Sequence, residues 1–256
     1  MKKKEFHSSK FQQNFYDRLS ETRAGDGGLF SCGFEERYNP RLVFENKQAF
    51  KVFHDLFSGL FADDTQRVIL DMCSGSGIHL PVLSQFSATV VGMDLSFGLL
   101  NKARELKREL KLDHAFLVQS LAETVALRDD ACDAVVMIDG IHHVEDQDKM
   151  MKELQRVARA NAPFMLIEPN ISNPLVYLAH RIPKEERGAL RMNTARGLTA
   201  LLSPYVADIT IKPFNQVASK KRTPVARAAV RMIEWAFTNV FFFWPIRLLV
   251  QGRFYK

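Results

Sequence analysis

The chain has 256 residues, 46% hydrophobic and 25% charged, enough to bury a core of its own without disulfides. Three widely spaced cysteines (Cys32, Cys73, Cys132) form no CxxC pair, which argues against a disulfide scaffold and a zinc module, so no metal is expected. The net charge of +6 lies in the tail: Lys212 to Lys256 holds nine Lys/Arg against the single acid Glu234, a local +8 that leaves −2 elsewhere.

The start, Met1-Lys2-Lys3-Lys4, lacks the apolar stretch of a signal peptide, and no uncharged run is long enough to span a bilayer, so a cytoplasmic location is expected. Phe11, Phe15 and Leu19 recur at helical spacing, as do Phe50, Phe53, Phe57 and Leu60. Between them lies a turn-rich segment with Gly25-Asp26-Gly27-Gly28 and Asn39-Pro40. These helices read as a cover over a sheet edge or a lid over a site.

From residue 67 the pattern changes. Apolar strand runs end at Met72, Asp94, Gln119, Ile138 and Glu168, and amphipathic helices fall between them, one starting near Ser96 and one carrying Met150, Leu154 and Val157. Alternation at this spacing predicts βαβ units and an α/β fold, a doubly wound parallel sheet covered on both faces. Ligands of such sheets sit beyond the carboxyl ends of the strands. After the first strand comes Asp71-Met72-Cys73-Ser74-Gly75-Ser76-Gly77-Ile78, where Gly75 and Gly77 permit a sharp turn and close approach of a ligand to backbone amides. Asp94, nineteen residues beyond Gly75, ends the second strand and suits both hydroxyls of a ribose. A dinucleotide fingerprint would need a small third residue, but Leu80 stands there. An acid at Asp71 also suits a sulfonium or ammonium better than a pyrophosphate.

With those residues in place, the chain resembles the class I S-adenosylmethionine-dependent methyltransferases. Val68 to Gly77 is similar to the family's first motif, with Cys73 in place of a glycine, and Val91-Gly92-Met93-Asp94-Leu95 to its second. Leu121-Ala122-Glu123 to Asp133 is similar to the stretch before strand four, with Leu121 where the family has an acid. Ile138-Asp139-Gly140-Ile141-His142-His143-Val144 is similar to the element after it. The resemblance, over about residues 65 to 170, implies a mostly parallel, seven-stranded, Rossmann-like sheet ending in an antiparallel hairpin. It implies S-adenosyl-L-methionine as cofactor and S-adenosylhomocysteine as product. The cofactor-binding residues it implies are Asp71, Cys73, Gly75, Gly77, Asp94, Leu95, Ala122, Glu123 and Asp139. Catalysis is assigned to His142 or His143, where an imidazole could act as base, with His142 ahead. Cys73 reads as a small filler, not a nucleophile.

The division expected is an N-terminal helical cap or lid at residues 1–64 and a methyltransferase core at 65–256, with a basic, aromatic helix inserted at about 220–245. Thr194 to Leu202 suits a helix, Ala207 to Pro213 a sixth strand and Leu248 to Lys256 a seventh. In the insert, Arg227, Arg231, Glu234 and Thr238 form one polar stripe, and the other faces carry Trp235, Phe237 and Phe241 to Trp244. Such a helix suits a membrane interface or another protein. The expected function is methyl transfer to a small lipophilic acceptor, with peripheral contact to an anionic membrane surface through residues 220–245. Two rivals are a nucleic-acid methyltransferase using the basic tail and a non-catalytic cofactor-binding module. The tail's clustered Phe and Trp argue against nucleic acid, and the sequence leaves the oligomeric state open.

Overall fold

The computed structural model describes residues 8–22, 34–61, 66–181, 192–216 and 224–255. Seven strands, β1 (Gln66–Met72), β2 (Ser87–Asp94), β3 (Ala115–Gln119), β4 (Ala134–Ile138), β5 (Pro163–Pro169), β6 (Val206–Phe214) and β7 (Arg247–Phe254), form one sheet in the order β3-β2-β1-β4-β5-β7-β6. The first five pair in parallel, and β7 runs antiparallel to β5 and β6. The order reverses at β1 and β4, so the carboxyl ends of these strands open a crevice between diverging connections.

Buried strands alternate their side chains between two covered faces. On one face Leu70, Met93, Met137 and Leu166 pack with Met150 and Leu154 of α6 (Gln147–Val157) and Leu198 and Leu202 of α8 (Ala195–Leu202). On the other, Ile69, Val90, Val136 and Ile167 meet Phe53 and Phe57 of α3 (Lys47–Leu60), Leu80 and Leu83 of α4 (Leu80–Leu83), and Ala103 of α5 (Phe97–Glu109). The Phe50-Phe53-Phe57 periodicity thus belongs to a helix that covers the sheet.

The first helix, α1 (Ser9–Ser20), does something different. It docks on the N-terminus of α5, where Asp17 accepts hydrogen bonds from the Ser96 hydroxyl at 2.6 Å and the Gly98 amide at 2.9 Å. Gly98 is needed there, because a Cβ would lie 2.3 Å from the Ser20 Oγ and 3.1 Å from the Asp17 Cα. At its other end the Ser9 amide donates to Glu145 at 3.0 Å. A short helix, α2 (Phe34–Arg37), follows it among the described residues.

Two further helices follow β5 and β6. α7 (Pro174–Ala179), capped by Asn173, follows β5 and had no strong periodic signal. α9 (Pro224–Asn239) replaces the helix expected over 220–245, whose first residues, 220–223, lie outside the described segments. The helix stops at Asn239, and Val240 to Ile246 form a turn. Pro245 disfavours helix at the residue before it. The Asn173 and Asn170 side-chain amides donate to the carbonyls of Trp244 and Pro245 at 2.7 and 2.9 Å, which pins the turn in place. Phe241, Phe242 and Phe243 therefore sit in an exposed turn instead of on a helix face. No helix among the described residues is long and apolar enough to cross a membrane.

Candidate cofactor and acceptor site

A cavity opens beyond the carboxyl ends of β1, β2 and β4, roofed by α1 and the end of α2. Its volume is about 150 Å³. Asp71, Cys73, Gly75, Asp94, Leu95, Ala122, Glu123, Asp139 and His143 all line it. His142 and Gly77 do not.

The two strand-end acids are unusual. Asp71 is 2% exposed, and burial pushes its carboxyl up to about 7, with Asp94 raising it further and the 2.7 Å Ser74 hydroxyl bond opposing. Burial likewise raises Asp94 to about 6, against hydrogen bonds from the amides of Gly75 and Ser96, each at 2.8 Å. Among the described residues no Lys or Arg pairs with either acid. Two desolvated carboxylates with no ion-pair partner, in a cavity that Arg37 lines elsewhere, fit a ligand that brings positive charge and hydrogen-bond donors of its own. A sulfonium, an ammonium and ribose hydroxyls answer that description.

The glycines divide their work. Gly75 has φ of +55°, and a Cβ on it would have only Leu99 nearby, at 3.9 Å, while its amide is engaged by Asp94. Gly77, at φ +77°, is a packing residue: a Cβ would stand 2.7 Å from Leu80 and 2.9 Å from Ala103. The sequence reading placed it at the ligand; the structure places it under the turn, between α4 and α5. Gly77→Ala should therefore lower stability by about 2 kcal/mol or more through overpacking and left-handed strain, seen as a lower urea midpoint at unchanged slope.

Cys73 also has positive φ and packs against Gly140, where a Cβ would lie 2.5 Å from the Cys73 Cβ. Burial and the nearby acids, Asp94 first, hold its thiol well above the ordinary range, so it stays protonated and unreactive. Glu123 spends one oxygen accepting from the amides of Glu145 and Asp146, at 3.2 and 3.1 Å, which holds the loop beside the cavity. Leu121 lines the wall at the position where the family carries an acid. Asp139 is opposed by burial but held below the usual carboxylate range by the charge of Arg247, with which it pairs.

The histidines reverse the expected order. They share a turn, Ile141–His143, and adjacent residues there point apart. His142 is 5% exposed and turns inward, its Nδ1 2.5 Å from Glu168. Fully buried, Glu168 accepts also from the amides of Gly140 and Ile141 at 2.7 and 3.0 Å and from the Asn193 amide at 2.7 Å. His143 faces the cavity, with Nε2 2.8 Å from the hydroxyl of Tyr16 on α1. Sequence reasoning missed Glu168 as the organiser of this turn and Tyr16 as part of the cavity wall. Its only signal for Glu168 was a polar residue closing an otherwise apolar strand.

A sheet of this order, with Asp71 and Asp94 near the ends of β1 and β2 around a glycine turn, defines a Rossmann-like α/β domain. Residues 70–166 match the family described as methyltransferase domain. This stretch, from β1 to β5, is thus similar to methyltransferase domains. The chain is 28% identical over 123 residues to the ubiquinone/menaquinone biosynthesis C-methyltransferase UbiE of Hahella chejuensis, an alignment covering 44% of this chain and 48% of that protein. It is 26% identical over 122 residues to the demethylmenaquinone methyltransferase of Thermobifida fusca, covering 48% and 49%. The chain thus spans about half the length of the curated relatives it matches. Among solved structures, geranyl diphosphate C-methyltransferase from Streptomyces coelicolor A3(2) superposes with TM-score 0.65 at 13% identity, covering 97% of this chain and 98% of that one. The YcgJ protein of Bacillus subtilis gives 0.55 at 17%, covering 80% and 99%. At such identities the structures establish the shared fold.

Proposed function

We propose that this protein transfers a methyl group from S-adenosylmethionine to a small lipophilic acceptor of quinone type. The observation that carries the reading is the cavity itself, which joins the uncompensated acids Asp71 and Asp94 to a second region lined by Ile138, Val144, His143 and Tyr16. The first part would bind the cofactor through charge and ribose contacts, and the second offers an apolar wall with one basic nitrogen. The kinship with quinone methyltransferases supports an aromatic, lipophilic acceptor. The protein's share of the work is to hold the reactants in line and exclude water, which α1 does as a roof. Residues 1–64 then act as cap and lid to a core at 65–256.

The test has two arms. S-adenosylhomocysteine should raise the melting temperature, as a ligand of the native state must. Incubation with S-adenosylmethionine carrying a labelled methyl group should then label a reduced naphthoquinone. Binding without transfer to any lipophilic acceptor would favour the binding-module reading.

The same reading includes a peripheral membrane contact from the cytoplasmic side. Met232 and Trp235 on α9, Phe242 and Phe243 in the turn, and Leu175 and Leu178 on α7 are all exposed. Such apolar surface stands in need of a partner, and the +8 tail favours an anionic one. The protein is expected to sediment with anionic liposomes at low salt, less so at high salt. Changing Phe241, Phe242 and Phe243 to Ser should abolish sedimentation while leaving S-adenosylhomocysteine binding intact. Indifference to liposomes, together with RNA binding of steep salt dependence, would overturn this in favour of a nucleic-acid substrate.

A further inference from the structure

We infer that Tyr16, carried in by the lid helix, and His143 form a proton-relay pair at the acceptor end of the cavity. The inference rests on the methyl-transfer reading. The Tyr16 hydroxyl lies 2.8 Å from His143 Nε2, and the rings meet edge to face with centroids 5.4 Å apart. Both residues line the cavity.

The pair is held from both sides. On the lid, Asp17 follows Tyr16 directly and is locked to Ser96 and Gly98, while the edge of Tyr38 packs against the Tyr16 ring at 5.8 Å. On the core, the His142 ring lies 3.9 Å from that of His143 and is itself fixed by Glu168. Two rings locked by unrelated contacts, 127 residues apart in sequence, make a preformed hydrogen bond.

Its chemistry follows from donor and acceptor counts. A neutral imidazole offers one acceptor nitrogen, and a phenol is a good donor with lone pairs left over. With Tyr16 donating to Nε2, its oxygen remains able to accept a proton from an acceptor hydroxyl. That proton passes to the Tyr16 oxygen as the Tyr16 proton passes to Nε2. The electron pair released on the acceptor, at oxygen or at a conjugated ring carbon, forms the bond to the methyl carbon, and the carbon–sulfur pair stays with sulfur. One proton leaves the acceptor, one methyl arrives, and His143 ends as imidazolium. Titratable or charged groups facing the pair are His142 with Glu168 and His180 behind it, Tyr38 and Arg37 beside the lid, and the carboxylates Glu123, Asp139 and Glu145.

The first readout is the histidine ring itself. In ¹⁵N-histidine-labelled full-length protein saturated with S-adenosylhomocysteine, His143 should appear at pH 8 as the Nδ1–H tautomer with Nε2 hydrogen-bonded. Tyr16→Phe should convert it to a mixture with rising Nε2–H, at S-adenosylhomocysteine affinity within about threefold of wild type. The second readout uses 1,4-dihydroxynaphthalene as acceptor. Tyr16→Phe and His143→Gln should each lower turnover by about 10²–10³-fold at pH 7, and the double variant should be no slower than the slower single. The Tyr16→Phe rate should climb with pH as the probe ionises unaided, while the wild-type rate levels off earlier. A dominant Nε2–H tautomer in wild type, a tautomer unchanged in Tyr16→Phe, or full turnover in either variant at pH 7 overturns the relay. If wild-type protein does not methylate the probe, the acceptor class is wrong, and the tautomer decides the pair without it.

Discussion

Glu168→Ala should be the most damaging single substitution in the site, lowering stability by about 4 kcal/mol, a large share of a typical 5–15. The carboxylate is fully buried and accepts from the amides of Gly140 and Ile141, from His142 and from Asn193. Truncation would leave those donors buried together without an acceptor, each costing about 1–3 kcal/mol before the turn relaxes. The expected melting-temperature drop is about 10 °C for a chain of this size. Glu168→Gln should cost less, because its carbonyl oxygen can still serve the two backbone amides. Its NH₂, however, would face the donors of His142 and Asn193. In that milder variant β1 and β2 are untouched, so S-adenosylhomocysteine should bind normally while turnover falls with the displacement of His143. Denaturation with both variants and calorimetry on Glu168→Gln check this. A Glu168→Ala protein within about 1 kcal/mol of wild type would show that the turn holds itself.

The sheet was legible because its signals are local. Buried strand runs ending at Met72, Asp94 and Glu168, and helix faces such as Leu99-Ala103-Leu106, are set by spacing along one element, and the five parallel strands lie where those runs are. The two acids and the glycine turn were legible for the same reason. What stayed hidden depends on contacts between distant segments. Nothing near residue 16 reveals that its phenol meets an imidazole 127 residues later. The order of His142 and His143 is decided by Glu168, which lies 26 residues on and captures the first ring. Gly77 reads the same as Gly75 in sequence, and only the neighbouring Leu80 and Ala103 separate their roles. The aromatic run after residue 239 was assigned to a helix on composition. In the structure the helix ends at Asn239, and the two asparagines hold the carbonyls of Trp244 and Pro245 in the turn that follows.

Cofactor affinity should fall by about tenfold between pH 8 and pH 6, and Asp71 should be the main cause. A cationic ligand prefers the ionised carboxylate, so a group titrating near 7 is almost fully charged at pH 8 and mostly neutral at pH 6. Asp94, raised to about 6, adds up to a further twofold over the same interval. Isothermal calorimetry with S-adenosylhomocysteine, which keeps the ammonium, measures this slope. Comparison of two buffers that differ in ionisation enthalpy counts the protons released on binding. Asp71→Asn should flatten the profile and bind more weakly at pH 8. If Asp94 accepts from the ribose as proposed, Asp94→Ala should weaken cofactor binding by roughly 1.5–3 kcal/mol. The stability of the ligand-free protein carries the opposite sign. Both folded-state values lie above the unfolded 3.8, so the contribution is complete below about pH 4 and is lost as pH rises through 6 to 7. Set against Asp71→Asn, wild-type protein without ligand should therefore lose stability from pH 4 to pH 8, and S-adenosylhomocysteine should restore most of it, because the ligand's charge replaces the water the carboxylates gave up. An affinity that does not change with pH in wild type, with no proton release, would mean that these acids are already ionised in the free protein and that burial does not poise them for a cation.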